Sequence, residues 1–265
     1  MNKKIGFIGC GKMASAIITG VLGIPALMVK GSEINPEFAD NAQKRLNISV
    51  LTDNKALVID SDVIFIATKP NQVVNVLEEI KTELTDDKLI VSIAAGVNTK
   101  KIEEIIGKKR IVRIMPNTPA LVKEGMFGVC KGKYASEDDV KFVISLLSKI
   151  GKCVEVTEEQ MDIVTAVSGS GPAFFYQVIE DMARAGEKLG LDYDKALLLA
   201  AQTALGSAKM VFNRGEVPVQ TLVDNVATKG GCTFVGIQVM KEFNSSKLFE
   251  QVIEKTTEKA SELGR

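Results

Sequence analysis

The sequence contains no histidine, so no imidazole is available as a metal ligand or as a general base. Its four cysteines, at 10, 130, 153 and 232, form no CxxC pair. A zinc site would have to draw on those scattered thiols or on carboxylates, and we expect no metal. The thiols read as reduced, as in a cytoplasmic protein. Net charge is missing too: 33 Lys and Arg balance 33 Asp and Glu. Nucleic acid or an anionic membrane would call for a basic excess, so neither is an expected partner. Ala196 to Ala208 is free of charge but far shorter than the ~20 residues a membrane span needs. Lys3-Lys4 before an apolar run imitates a secretory signal. Lys12 interrupts that run, and Gly9 and Gly11 give it a strand-to-helix layout instead. A soluble protein is expected.

What is present is ample apolar material. Hydrophobic residues make up 46% of 265 positions, enough for one large domain or two ordinary ones. Ile5-Gly6-Phe7-Ile8 has the character of a buried parallel strand and runs into Gly9-Cys10-Gly11-Lys12-Met13-Ala14, then a helical pattern. This is the G-x-G-x-x-A form of the dinucleotide fingerprint in its strand–turn–helix setting. Gly9 allows the tight turn, Gly11 lets a pyrophosphate approach the backbone, and Ala14 keeps the helix close to the sheet. A second strand, Ala26 to Glu33, ends 24 residues after Gly9, where an acid accepts from ribose hydroxyls. Glu33 there disfavours a 2′-phosphate, and no arginine follows among Ile34, Asn35 and Pro36, although Lys30 could compensate. A solvated strand end is the alternative reading of Glu33.

Strands and helices then alternate. Strands at 48–51, 63–67, 89–93 and 111–115 end at Asp53-Asn54, Thr68-Lys69-Pro70, Ala94-Ala95-Gly96 and Pro116-Asn117-Thr118-Pro119. Segments 125–131 and 152–156, flanking a helix near 137–149, complete the edge. The alternation predicts a mostly parallel sheet with helices on both faces, and each break falls at a strand's carboxyl end, where such sheets place their ligand. Lys69 reads as a cofactor contact or a surface lysine sooner than as a catalytic acid.

From Thr157 on there is no convincing strand. We expect a dinucleotide-binding domain over 1–157 and an all-helical domain over 158–265. Pro172 suits a helix's first turn, Asp192 caps a helix over 193–212, and Pro218 opens another. Gly190, Gly206 and Gly215 punctuate these helices. The region has more apolar helix faces than a small domain can bury internally, which predicts a homodimer with interlocking helices; a monomer packed on the sheet domain is the alternative.

The stretch Asn225 to Thr233 reads as a glycine-bent loop feeding the first turn of a helix over 234–243. Free N–H groups and the helix dipole there hold a small carboxylate without any lysine or arginine, and Thr228 and Thr233 can donate to the same anion. A plain loop and cap would look similar.

GFIGCGKMA at 6–14, ATKP at 67–70, SIAAG at 92–96, MPNTPA at 115–120, SGSGPAF at 168–174 and DNVATKGGCT at 224–233 occur in one chain. Together they resemble pyrroline-5-carboxylate reductase over nearly the whole length, the fifth and sixth motifs most specifically. The resemblance implies the last step of L-proline synthesis, reduction of L-1-pyrroline-5-carboxylate by NADPH or NADH. It also implies a Rossmann domain followed by an all-helical dimerising domain, with dimers sometimes assembling into a decamer. Carried over by position, Ile8, Gly9, Cys10, Gly11, Lys12 and Met13 would hold the pyrophosphate. Asn54, Ala67, Lys69, Pro70, Ala94 and Ala95 would line the cofactor cleft, with Asn225 on its ribose. The substrate carboxylate would sit on Thr228, Gly230, Gly231, Cys232 and Thr233, with Thr165 and Glu216 near the ring nitrogen. Two departures stand out: Lys229 where family members often carry proline, and Glu33-Ile34 where many carry a small or basic residue.

A cyclic imine that binds protonated is already electrophilic, so hydride transfer needs alignment more than activation. Absence of histidine suits that chemistry. A hydroxyacid or 6-phosphogluconate-type dehydrogenase is the enzymatic alternative, but it looks for an acid–base lysine on the central helix, which here has only Arg184 and Lys188 near its end. A dinucleotide-sensing protein without turnover is the non-enzymatic one.

Overall fold

A parallel strand covered on both faces must be apolar at nearly every position, and the runs at 5–8 and 63–66 meet that demand. In a computed structural model describing residues 3–263 they form β1 (Lys3–Ile8) and β4 (Val63–Ile66), paired in parallel. With β2 (Leu27–Ser32), β3 (Ser49–Leu51), β5 (Leu89–Ser92), β6 (Arg110–Met115), β7 (Gly125–Lys131) and β8 (Gly151–Glu155) they make one sheet in the order β3-β2-β1-β4-β5-β6-β7-β8. The first six strands follow the doubly wound dinucleotide order, which reverses between β1 and β4. Every neighbouring pair is parallel except β6–β7. Only a short stretch with a 3-10 turn, Thr118–Val122, links those two, too little chain for a parallel crossover, so they run antiparallel.

The crossovers are α1 (Lys12–Val21), α2 (Pro36–Leu46), α3 (Asn54–Ile59), α4 (Val73–Ile80), α5 (Thr99–Ile106) and α6 (Glu137–Leu147). Strand alternation divides the core in two. Phe7, Val63 and Phe65 pack with Ile17, Ile18 and Val143 of α1 and α6. Ile8, Ile64 and Ile66 pack with Leu57, Leu77 and Ile102 of α3, α4 and α5. The rings of Phe7 and Phe65 stack at 4.4 Å across the β1–β4 seam.

No strand follows β8 among the described residues. α7 (Met161–Val164) passes into a π-helical turn, Thr165–Gly169, closed by the Ser170 N–H donating to the Thr165 carbonyl at 2.8 Å. The chain divides into two compact units, 3–170 with 255–263, and 171–254. The second holds α8 (Gly171–Lys188), α9 (Tyr193–Phe212), α10 (Val219–Val226), α11 (Cys232–Glu242) and the first half of α12 (Ser245–Leu263). Asp192 caps α9 by accepting from the Lys195 N–H, and Pro218 stands at the start of α10, as expected. Gly206 does not punctuate; it lies within α9, where a Cβ would meet nothing within 4 Å, and a lone glycine inside a long helix is tolerated. α11 starts at Cys232, two residues before the expected run, since Gly231 is already extended at its N-cap.

The hydrophobic residues buried in the second unit are all alanines: Ala183, Ala196 and Ala200. Its large apolar side chains point outward, with Leu198 69%, Phe212 68% and Phe243 83% exposed. No helix of the described residues is long and apolar enough to cross a membrane.

Candidate active site

In the first unit the expected cofactor residues gather at the carboxyl ends of β1, β2, β4 and β5. Gly9 has φ +92°, and a Cβ there would lie 2.8 Å from the Ala67 carbonyl oxygen, so both conformation and space demand glycine. The Gly9 N–H donates to the Ser32 carbonyl and the Ala67 N–H to that of Ile8, each at 2.9 Å, knitting the turn to both flanking strands. Gly11 is different. It is the N-cap of α1, and a Cβ on it would meet no protein atom within 4 Å. Nothing in the protein needs glycine there; open space over the turn does.

α1 has no side-chain cap and no acid in its first turn. By contrast α2, α3, α5, α6 and α9 are capped by the side chains of Asn35, Asp53, Asn98, Ser136 and Asp192. The N–H groups opening α1, at Lys12 and Met13, are therefore left for an anion. Beside the turn the Thr68 hydroxyl is buried without a partner, a second polar group awaiting a ligand. These features fit a dinucleotide pyrophosphate.

Just beyond β2, at the corner beside the fingerprint turn, Glu33 accepts from the Cys10 N–H at 2.6 Å. Asn54 is buried; its carbonyl accepts from the Ser32 hydroxyl at 2.7 Å and its amide donates to Glu79 at 3.0 Å, so it builds the floor of this corner. Burial, with the Glu33 charge adding to it, pushes the Cys10 thiol up to about 12. Arg45, which the sequence reading passed over, donates to the Cys10 carbonyl at 2.7 Å and to the Ser15 hydroxyl at 3.0 Å. Lys69 and Pro70 are exposed at the start of a 3-10 turn, Ala94 is buried, and Ala95 is half-buried beyond β5. Thr165 opens the π-helical turn, and its hydroxyl donates to the Met161 carbonyl at 2.8 Å. The MPNTPA and SGSGPAF motifs meet here: Asn117 donates to the Ser168 hydroxyl at 3.4 Å, and a Cβ on Gly169 would strike the Met115 methyl at 2.3 Å.

In the second unit α11 repeats the anatomy of α1: a glycine N-cap, Gly231, no side-chain cap, and no acid in the first turn. The Gly231 N–H donates to the Thr228 carbonyl at 2.9 Å, and Gly230 sits within that turn at φ +83°. The turn closes with Lys229 in it. Cys232 is exposed and Thr233 half-buried in the first helical turn. Asn225 is exposed in the last turn of α10, and Glu216 is exposed between α9 and α10. Arg184 of α8 is committed to Glu180 at 2.8 Å and Glu187 at 3.0 Å, so it is no free acid–base group. Among the described residues no group of His, Cys, Asp or Glu side chains is arranged to hold a metal ion.

Residues 158–263 match the family described as pyrroline-5-carboxylate reductase dimerisation, and residues 4–96 match NADP oxidoreductase, coenzyme F420-dependent. The pyrroline-5-carboxylate reductase of Methanosarcina acetivorans is 40% identical, with 100% of this chain and 99% of that protein covered. The chain belongs to the pyrroline-5-carboxylate reductase family. Solved members have the same fold over the same length. The crystal structure of the Plasmodium falciparum enzyme with NADP bound superposes with a TM-score of 0.88 at 35% identity, covering 100% of this chain and 99% of that one. The Coxiella burnetii enzyme gives a TM-score of 0.92 at 33% identity, covering 100% of each chain. The chain is accordingly an NAD(P)H-dependent oxidoreductase, with a Rossmann-type sheet followed by an all-helical region.

Proposed function

We propose that the protein reduces L-1-pyrroline-5-carboxylate to L-proline at the end of L-proline biosynthesis, in the cytoplasm and as a homodimer. The observation that carries the substrate assignment is the uncapped glycine start of α11. A carboxylate there gains from free N–H groups and from the helix dipole, which contributes about 0.3–1 kcal/mol at an exposed site. Gly230 and Cys232 offer main-chain N–H groups, Gly231 closes the turn on the Thr228 carbonyl, and the hydroxyls of Thr228 and Thr233 donate. The pyrophosphate of the dinucleotide lies on residues 8–13.

When bound, the reduced nicotinamide supplies a hydride. The chain's own part is to hold and orient. Orientation is worth roughly 7–11 kcal/mol in favourable cases. General acid–base assistance, at roughly 10²–10⁴-fold, is worth about half of that or less. A protonated imine needs the first and little of the second. Glu216 favours the protonated ring nitrogen by its negative charge, directly or through a water. The boundary near 157/158 separates dinucleotide binding from dimerisation and substrate binding in this reading. Five dimers in a decamer is the larger assembly it admits.

Steady-state kinetics of Glu216→Ala and Thr233→Ala test the assignment. We expect kcat/KM for pyrroline-5-carboxylate to fall at least tenfold in each. Unchanged values in both would remove it.

A further inference from the structure

We propose that Glu33 makes this chain select against a 2′-phosphate, so that it binds NADH in preference to NADPH. The inference rests on dinucleotide binding at the Gly9–Met13 turn and names which dinucleotide that turn takes. Family membership does not decide it, although the solved Plasmodium falciparum relative has NADP bound.

The position of Glu33 is fixed twice. Its N–H donates to the Leu51 carbonyl at 2.9 Å, and its Oε1 accepts from the Cys10 N–H at 2.6 Å. That second bond ties the carboxylate to the fingerprint turn and leaves Oε2 to accept from another donor. A ribose 2′-hydroxyl is such a donor. A 2′-phosphate is not: its oxygens accept, and it carries about two negative charges at neutral pH. Glu33 would therefore face it with like charge and no hydrogen bond.

The residues of β2 and of the first turn of α2 offer the phosphate no free cation. Lys30, the one cation on β2, is paired with Asp60 at 2.7 Å and does not serve Glu33. On α2, Lys44 is paired with Asp40 at 2.6 Å, and Arg45 turns its Nη2 to the Cys10 carbonyl and the Ser15 hydroxyl, on the fingerprint turn. The N–H groups opening α2, which lie next after β2, could have held a phosphate. The Asn35 side chain already accepts from two of them, at Glu37 (2.9 Å) and Phe38 (3.2 Å), and Glu37 adds negative charge to that turn. The Ser32 hydroxyl is given to Asn54, behind which stands a second carboxylate, Glu79. Ile34 is apolar and 68% exposed. The end of β2 and the start of α2 thus present a 2′-phosphate with carboxylates, an apolar side chain and N–H groups already capped.

Calorimetric or fluorescence titration of the full protein with NADH and with NADPH, with no imine present, tests this independently of turnover. We expect a Kd for NADPH at least tenfold above that for NADH. Glu33→Gln keeps an acceptor for the Cys10 N–H while removing the charge, so it holds the turn; Glu33→Ser removes both. Either variant should bring the two Kd values within about threefold, mainly by tightening NADPH, with a thermal melt checking that each remains folded. Arg45→Gln should weaken both dinucleotides alike. Equal or tighter binding of NADPH by the wild type would overturn the proposal. So would an unchanged ratio in both Glu33 variants, or a loss confined to NADPH in Arg45→Gln. Binding of neither dinucleotide would overturn the fingerprint reading itself along with the proposal.

Discussion

Gly9 and Ala67 approach so closely that a Cβ on Gly9 would lie 2.8 Å from the Ala67 carbonyl oxygen. The contact joins the ends of β1 and β4, where the strand order reverses. Gly11, two residues on, has open space instead. The two glycines should therefore fail differently when replaced by alanine. Gly9→Ala combines a positive φ with a backbone clash and should cost on the order of 2–3 kcal/mol of stability. Gly11→Ala should cost under about 1 kcal/mol, a cap-sized effect, yet weaken dinucleotide binding at least tenfold. Urea titration beside a binding isotherm for each variant separates the two.

Glu158 ties three elements together. It accepts from the Thr99 N–H at 3.0 Å and the Thr99 hydroxyl at 2.6 Å, and it pairs with Arg113 of β6, only 3% exposed. The pair is made through Arg113 Nη1, and Nε and Nη2 are buried without a hydrogen-bond partner. Removing the carboxylate strands a buried guanidinium, so Glu158→Ala should destabilise the fold by about 3–5 kcal/mol. Chemical denaturation of this variant should show the midpoint falling accordingly; a loss below about 1 kcal/mol would mean the pair is dispensable.

Three of the four thiols should react in a fixed order. Burial, then the nearby Glu158 charge, pushes Cys130 up to about 12, as burial does for Cys10, whereas Cys232 is exposed. A thiol reagent at pH 8 finds almost no thiolate at Cys10 or Cys130. Mass spectrometry of the alkylated native protein should find Cys232 modified first, and Cys10 and Cys130 only after unfolding. Modification at Cys232 should raise KM for the imine while leaving dinucleotide Kd in place.

Leu198 and Leu199 stand 69% and 58% exposed on α9, whose own buried residues are alanines. A helix with that pattern is covered by another chain or left wet at a cost of roughly 25 cal/mol per Å² of apolar surface. Leu198→Arg should shift the protein from dimer toward monomer in sedimentation velocity at micromolar concentration. A wild type that sediments as a monomer would count against the dimer.

Much of this was legible because the chemistry is local. The fingerprint turn, the end of β2 and the caps at Asp192 and Pro218 are each set by a few neighbouring residues whose conformational needs are known. Family resemblance supplied the rest of the candidate residues. What stayed hidden depends on partners distant in sequence. Arg45 reaches Cys10 across 35 residues, Asn117 reaches Ser168 across 51, and neither pairing leaves a periodicity to read. The π-helical turn at Thr165 looks like ordinary helix in sequence, since one extra residue per turn has no compositional mark. The antiparallel β7 was written in the short link from Met115 to Gly125, a length signal that alternation of strands and helices masks.

Backbone amides open both α1 and α11, and neither start is dressed with a side-chain cap. The main-chain part of such grips has no side chain to delete. Truncating residues one at a time would therefore underestimate both ends, and the damaging changes there would be additions of bulk, a methyl group planted where the two anions come to rest.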